Sequence, residues 1–187
     1  MKRLRIVGLR IVGVAIVGLS IASMTANRSF AQTPKPRPNF SGTWVFDEPA
    51  TGAVATVERK GSAIFGESFV AAADATTLTL DITIARGTPP VKAVYALDGT
   101  ATNNVSPPQM PGGAPIIVTA TAKWVGDKLV IESKSQQPGG RGPDAPKVVD
   151  VVSTRTMWLD KNGNLVIDRD GTPKPVVPST RSVYKKQ

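Results

Sequence analysis

The chain has 187 residues, of which 23 are Lys or Arg and 14 are Asp or Glu, so that its formal net charge is +9. It contains no cysteine, which excludes disulfide bonds and thiolate metal sites, and no histidine, the commonest general base and transition-metal ligand. We therefore expect no enzyme activity, no metal and no cofactor.

The first 31 residues have the three-part pattern of a cleavable secretory signal. A basic start precedes an apolar stretch from Ile11 to Met24, and the small residues Ser29 and Ala31 are spaced as in a signal-peptidase site. The apolar stretch has 14 residues, fewer than the roughly 20 that cross a bilayer as a helix. We predict cleavage after Ala31, with Ala26 as the alternative. The product is then a periplasmic or secreted protein with no membrane span.

The positive charge is concentrated in the signal, which holds five of the basic residues and no acidic residue. Residues 32–187 keep 18 basic and 14 acidic residues, a net charge of +4 that is spread along the chain. This spread lacks the clustered basic stripe of a nucleic-acid-binding protein, so no nucleic-acid partner is expected. The remaining 156 residues have the size of one domain.

A proline-rich leader, 32–39, precedes a single predicted domain, 40–187, that is built almost entirely from strands. Segment 77–84 is the clearest strand, because its apolar residues alternate with polar ones. Ten strands are predicted: 43–47, 54–60, 64–70, 77–84, 92–97, 116–124, 128–134, 148–159, 165–169 and 180–185. Segment 48–53 is interpreted as a short turn. Regularly spaced short strands favour a sandwich or a barrel.

The connections between these strands differ in length at the two ends of an up-and-down meander. Long Pro- and Gly-rich loops collect at one end and tight turns at the other, as in a cup with a mouth and a closed floor. Closure into a barrel would also remove exposed strand edges. The predicted fold is therefore all-β, an up-and-down antiparallel barrel of 8–10 strands.

Two segments carry a resemblance to known proteins. Phe40-Ser41-Gly42-Thr43-Trp44 resembles the first strand of lipocalins and intracellular fatty-acid-binding proteins, the calycin superfamily, and segment 180–185 resembles their last strand. The start is also similar to that of a group of secreted bacterial proteins with no agreed function. The resemblance implies a lipocalin-like barrel in which Trp44 packs across the floor against Arg181, a cation–π contact.

Two features of the fatty-acid-binding proteins are not reproduced. Their last strand holds a carboxylate with an Arg and a Tyr two residues apart, whereas Arg181 and Tyr184 are three apart and should face opposite sides of a strand. Their helical lid is also not expected, because segment 48–53 is short. Fatty acid is therefore not implied as the ligand.

Acidic residues offer two further candidates for chemistry. Asp160-x-Asn162-x-Asn164 is similar to the start of a calcium loop, but the residues at positions six and twelve are Leu and Gly, which favours a plain hairpin turn. Asp47 and Glu48 are adjacent acids, and because neighbours on a strand point to opposite faces they cannot act as a catalytic pair.

The first hypothesis for function is an exported, non-enzymatic protein that binds a small apolar or lipid-like molecule. Its candidate ligand contacts are the inward apolar side chains Leu78, Leu80, Ile82, Val118 and Trp124. The same side chains would fill a solid core, since a barrel of about eight strands can be packed or can hold a ligand. The alternatives are a structural or interaction module of the cell envelope with a solid barrel, and an isomerase or cyclase that works without His or Cys. The sequence makes no prediction of oligomeric state.

Overall fold

The computed structural model describes residues 36–108, 114–138, 148–174 and 176–187. The predicted signal and its cleavage site lie outside these residues, and no helix within them is long and apolar enough to cross a membrane. The elements, in chain order, are β1 (Gly42–Phe46), α1 (Glu48–Val54), β2 (Lys60–Gly61), β3 (Ser68–Ala73), β4 (Thr77–Thr83), β5 (Val91–Ala96), β6 (Thr102–Ser106), β7 (Ile116–Val125), β8 (Lys128–Pro138), β9 (Val148–Leu159), β10 (Leu165–Thr172) and β11 (Thr180–Lys186).

The sheet is an up-and-down meander, and the predicted all-β antiparallel barrel is confirmed. Its strand order is β5-β4-β3-β1-β11-β10-β9-β8-β7-β6. Strands that follow each other along the chain are therefore neighbours in the sheet, except β5 and β6 at its two ends, and β1 pairs with the last strand, β11. All these pairs are antiparallel. The two-residue β2 is added outside this path and pairs with β11 in parallel.

The barrel closes between β5 and β6 through a side chain instead of a ladder. The amide of Asn104 accepts a hydrogen bond from the Val94 N–H at 2.7 Å and donates one to the Val94 carbonyl at 3.0 Å. A side-chain amide offers the same donor and acceptor pair as a peptide group, so Asn104 stands in for a strand neighbour. We call this junction the seam.

Two strand predictions are corrected. Segment 54–60 is not a strand, and the preceding segment is the helix α1 instead of a turn. Asp47 begins this helix as its N-cap, because its carboxylate accepts a hydrogen bond from the Ala50 N–H at 3.0 Å. The helix lies beside β11 beyond the end of β1, where the hydroxyl of Thr51 accepts a hydrogen bond from the Val183 N–H at 2.8 Å. Conversely, β6 is a strand in a segment that the sequence analysis predicted to be a loop.

The two ends of the barrel carry connections of different length. The mouth end carries the connections 47–67 and 84–90, and β6, β8 and β10 also end there. The floor end carries the shorter connections 74–76, 97–101, 126–127 and 160–164.

Phe40, the first residue after the leader, packs at the floor end. Phe40 is 1% exposed and its ring stacks on Trp124 with centroids 5.5 Å apart, while its carbonyl accepts a hydrogen bond from the Trp44 indole N–H at 2.7 Å. The expected pairing of Trp44 with Arg181 is not formed. The cation over the Trp44 ring is Lys186, at 5.7 Å, because Arg181 lies on the outer face of β11.

Candidate ligand site

The inner face of the barrel changes from apolar to polar along β8, β9 and β10. In a row near the floor, Leu129, Met157 and Ile167 stand side by side and are fully buried. In the next row Ile131, Arg155 and Arg169 are neighbours, and in the third Ser133 and Ser153 face each other. Period-two alternation places all these side chains inside, so the polar ones are enclosed by the barrel.

Two adjacent cavities lie in the mouth half of the barrel. The apolar chamber, about 390 Å³, is lined by residues that include Phe65, Ile82, Ala93 and Tyr95. The polar chamber, about 230 Å³, is lined by residues that include Ser133, Ser153 and Arg169. Ser106, Val118 and Arg155 line both, so the two chambers are neighbours.

Arg155 stands at the boundary between the chambers. Its guanidinium lies 5.4 Å from the centre of the Phe65 ring, and one of its terminal nitrogens donates to the hydroxyl of Ser133 at 3.4 Å. Its Nε is buried without a hydrogen-bond partner among the described residues. The Phe65 ring and one long hydrogen bond to Ser133 engage only part of the guanidinium, which has five N–H donors.

Arg169 is the direct cross-strand neighbour of Arg155. Its Nε is also buried without a partner in the described part of the chain. Burial lowers the pKa of Arg169, and the positive charge of Arg155 lowers it further. A guanidinium nevertheless stays protonated in proteins, so two positive charges face each other inside the barrel.

Neutral donors lie near the two arginines. Ser153 is 5% exposed, and its hydroxyl has no partner among the residues that the structure describes. Tyr95 is buried in the apolar chamber, and burial raises the pKa of its phenol, although the nearby charge of Arg155 acts in the opposite direction. The phenol is therefore protonated at neutral pH and able to donate a hydrogen bond.

The structure divides the five predicted ligand contacts between two regions. Ile82 and Val118 line the apolar chamber. Leu78 and Leu80 are fully buried in the packed core, and Trp124 packs on Phe40 at the floor. The two arginines were missed, although parity along β9 and β10 could have found them. Once Met157 and Leu165 are assigned to the inside, Arg155 and Arg169 must also point inward.

The last strand provides no carboxylate clamp. Tyr184 points inward, accepts a hydrogen bond from the Phe65 N–H at 2.8 Å and donates one to the Gly66 carbonyl at 3.2 Å. Burial raises the pKa of this phenol to about 12. Arg181 points outward and pairs with both oxygens of Asp168, at 2.6 and 2.7 Å. The prediction that these two residues face opposite sides is confirmed.

The candidate calcium loop is a hairpin turn, as the sequence predicted. The carboxylate of Asp160 accepts hydrogen bonds from the backbone N–H groups of Asn162 and Asn164 at 2.8 and 2.9 Å, and Gly163 has a φ of +80°. Because the carboxylate is used by the turn, it is not presented to a cation. Among the described residues, no group of three or more acidic side chains could hold a metal ion.

No family model and no curated protein matches the chain. The geometry of the barrel therefore carries the functional argument, and the fold agrees with a calycin-like barrel at the level of a nearly closed antiparallel meander.

Proposed function

We propose that the protein is an exported binder of a small molecule, and that the apolar body of this molecule occupies the apolar chamber. The single observation that carries the proposal is a cavity of about 390 Å³ whose lining includes Phe65, Ile82, Val118 and Tyr95. Small-molecule sites are typically concave, mostly apolar and provided with a few converging polar groups.

Two further observations support this function over its alternatives. The core at the floor is packed by Leu78, Leu80 and Leu129, all 0% exposed, so the empty space at the mouth is not a general feature of a loose interior. A solid barrel, the basis of the envelope-module hypothesis, would have continued this packing to the mouth. We also propose that the protein binds its ligand without transforming it, since the chain has no histidine or cysteine to act as base or nucleophile.

The family and the location belong to the same proposal. Gly42-x-Trp44 on the first strand, a buried Trp44 and an up-and-down closure of β1 onto β11 support a place among the calycins. The basic, apolar and small-residue pattern of residues 1–31 supports export to the periplasm or the medium.

The test combines native mass spectrometry with a cavity-filling variant. A protein purified gently from the periplasm or medium of its own host should carry an added mass that dissociates on denaturation and can be identified in the organic extract. Val118→Trp should abolish this added mass, because Val118 lines the apolar chamber. Ile117→Trp is the matched control, since Ile117 is the next residue on β7 and is 54% exposed.

Either of two results would remove the proposal. One is a protein with no added mass that also shows no heat of binding with 1-octanol, an uncharged apolar probe, in calorimetry. The other is an added mass that Val118→Trp and Ile117→Trp retain equally, which would place the bound molecule outside the chamber. A partner protein captured at the barrel surface would then become the better explanation.

A further inference from the structure

The arginines on the outer and inner faces of the barrel differ in whether they have carboxylate partners. On the outer face, Arg181 pairs with Asp168, and Arg59 reaches Asp170 at 2.6 Å and Asp168 at 3.7 Å. On the inner face, neither Arg155 nor Arg169 contacts a carboxylate among the described residues. The acidic residues of β10 are thus all on the outside, and within the described residues the inner pair has no carboxylate partner.

Two unpaired guanidinium groups at directly opposed positions are unfavourable in the empty protein. Like charges that face each other across two strands destabilise a sheet, and the repulsion is stronger where protein replaces water. The strands would be more stable with apolar side chains here, as in the neighbouring row of Leu129, Met157 and Ile167. Such a local cost at the wall of a cavity points to a role that needs the two charges.

We infer that the polar chamber binds the carboxylate of an organic acid, with Arg155 and Arg169 as its guanidinium partners and the apolar body of the acid in the adjoining apolar chamber. This inference rests on the proposed function and names the chemical class of its ligand. An anion between the two arginines supplies the missing counter-charge and uses the buried N–H groups that have no partner. The hydroxyl of Ser153 is within the same chamber and provides a neutral donor.

The composition of the chamber favours a carboxylate over a phosphate. Most guanidinium and hydroxyl donors lie on β8, β9 and β10, with one further hydroxyl on Ser106 of β6, whereas the wall also includes the side chains of Val118, Val151 and Val177, which donate nothing. A planar carboxylate presents its two oxygens in one direction and matches the guanidinium fork. The additional oxygens of a phosphate would face the valines and lose their water without gaining a donor.

The test measures binding of four probes that share one alkyl chain: octanoate, 1-octanol, octylammonium and octyl phosphate. Titration calorimetry with the intact protein should show octanoate binding tighter than 1-octanol by about 10- to 100-fold, the range expected for charge-assisted hydrogen bonds. Octylammonium should bind more weakly than 1-octanol, because it adds a third positive charge to the chamber.

Variants then identify the residues responsible. Arg155→Gln and Arg169→Gln should each reduce the preference for octanoate over 1-octanol to a few-fold at most. Arg86→Gln removes the same charge from an exposed loop and should leave the preference unchanged. In the absence of ligand, Arg169→Met should unfold at a temperature about 2 °C or more above that of the unchanged protein, because the internal repulsion is removed. If Arg169 only stabilised the fold, Arg169→Met would unfold at a lower temperature than the unchanged protein.

The outcomes separate this inference from the proposed function. Equal affinity for octanoate and 1-octanol would overturn the carboxylate site and leave the apolar binder standing. Octyl phosphate binding more tightly than octanoate would overturn the carboxylate assignment. If none of the four probes bound, both proposals would fail. The comparison of the four probes on the unchanged protein tests the carboxylate site even if an arginine variant does not fold.

Discussion

The two halves of the barrel interior are built from the same strands and have opposite characters. In the floor half, the side chains of Leu129, Met157 and Ile167 are all 0% exposed. In the mouth half, the next inward residues of β9 and β10 are Arg155 and Arg169, beside cavities of about 390 and 230 Å³. Packing and the proposed binding are therefore separated by height along the strands: under the proposal, the floor half holds the barrel together and the mouth half gives up stability for a ligand site.

The largest effect on stability is expected from truncating one inward side chain on each side of the boundary between the floor half and the mouth half. Leu129→Ala removes a fully buried side chain from a packed region and should lower the free energy of unfolding by about 2–5 kcal/mol, since both transfer and cavity terms are lost. Ile82→Ala borders existing empty space and should cost less than half as much. Urea denaturation followed by tryptophan fluorescence measures both. Equal losses would show that the mouth half is packed as firmly as the floor.

The seam gives the next prediction. Asn104→Leu keeps the approximate volume of the side chain but removes both hydrogen bonds to Val94, and it should lower the free energy of unfolding by about 1–2 kcal/mol. Hydrogen exchange of the Val94 amide should accelerate. The control is Asn103→Leu, which points outward from the same strand and accepts an exposed hydrogen bond from Thr119. A seam closed by other contacts would show no difference between the two variants.

Much of the fold followed from local pattern. Segment 77–84 was predicted within one residue because apolar and polar side chains alternate on it without interruption, and the hairpin at Asp160–Asn164 followed from its turn residues. The strand β6 was missed because Thr-Asn-Asn-Val-Ser has little apolar character. It is a strand through its pairing with β7 and the use of Asn104 at the seam, which are non-local.

The candidate site was predicted only in part, for a physical reason. A list of apolar inward residues does not show at which height the packing stops, so Leu78 and Ile82 appear equivalent in sequence although one lies in the core and the other at a cavity. The arginines carry a sequence signal, since they break the inward apolar series of β9 and β10 at neighbouring positions. Recognising it requires the register of the two strands, Arg155 opposite Arg169, which the turn at 160–164 fixes.

The outer face of the mouth half carries the smallest expected effect, and it depends on pH. The carboxylate of Asp170 accepts a hydrogen bond from the Ser179 hydroxyl and is approached by Arg59 and Lys174, and these contacts lower its pKa to about 2, from 3.8. Because the folded-state pKa is the lower one, the unfolded chain takes up a proton first as the pH falls. The stabilisation is complete above the unfolded value, and it is lost between pH 4 and pH 2.

Asp170→Asn should therefore be less stable than the unchanged protein at pH 6, by less than about 1 kcal/mol because the side chain is 43% exposed and the pairs are screened by solvent. The difference should shrink as the pH falls from 4 to 2, when the native carboxylate also becomes neutral. Thermal unfolding at several pH values measures this convergence. Asp150→Asn, an exposed carboxylate on β9 that accepts a hydrogen bond from Gln136, is the matched control and should run parallel to the unchanged protein. A gap for Asp170→Asn that stays constant down to pH 2 would mean that the variant loses packing instead of charge, and that the outer ion pairs do not stabilise the strands that hold Arg155 and Arg169 in place.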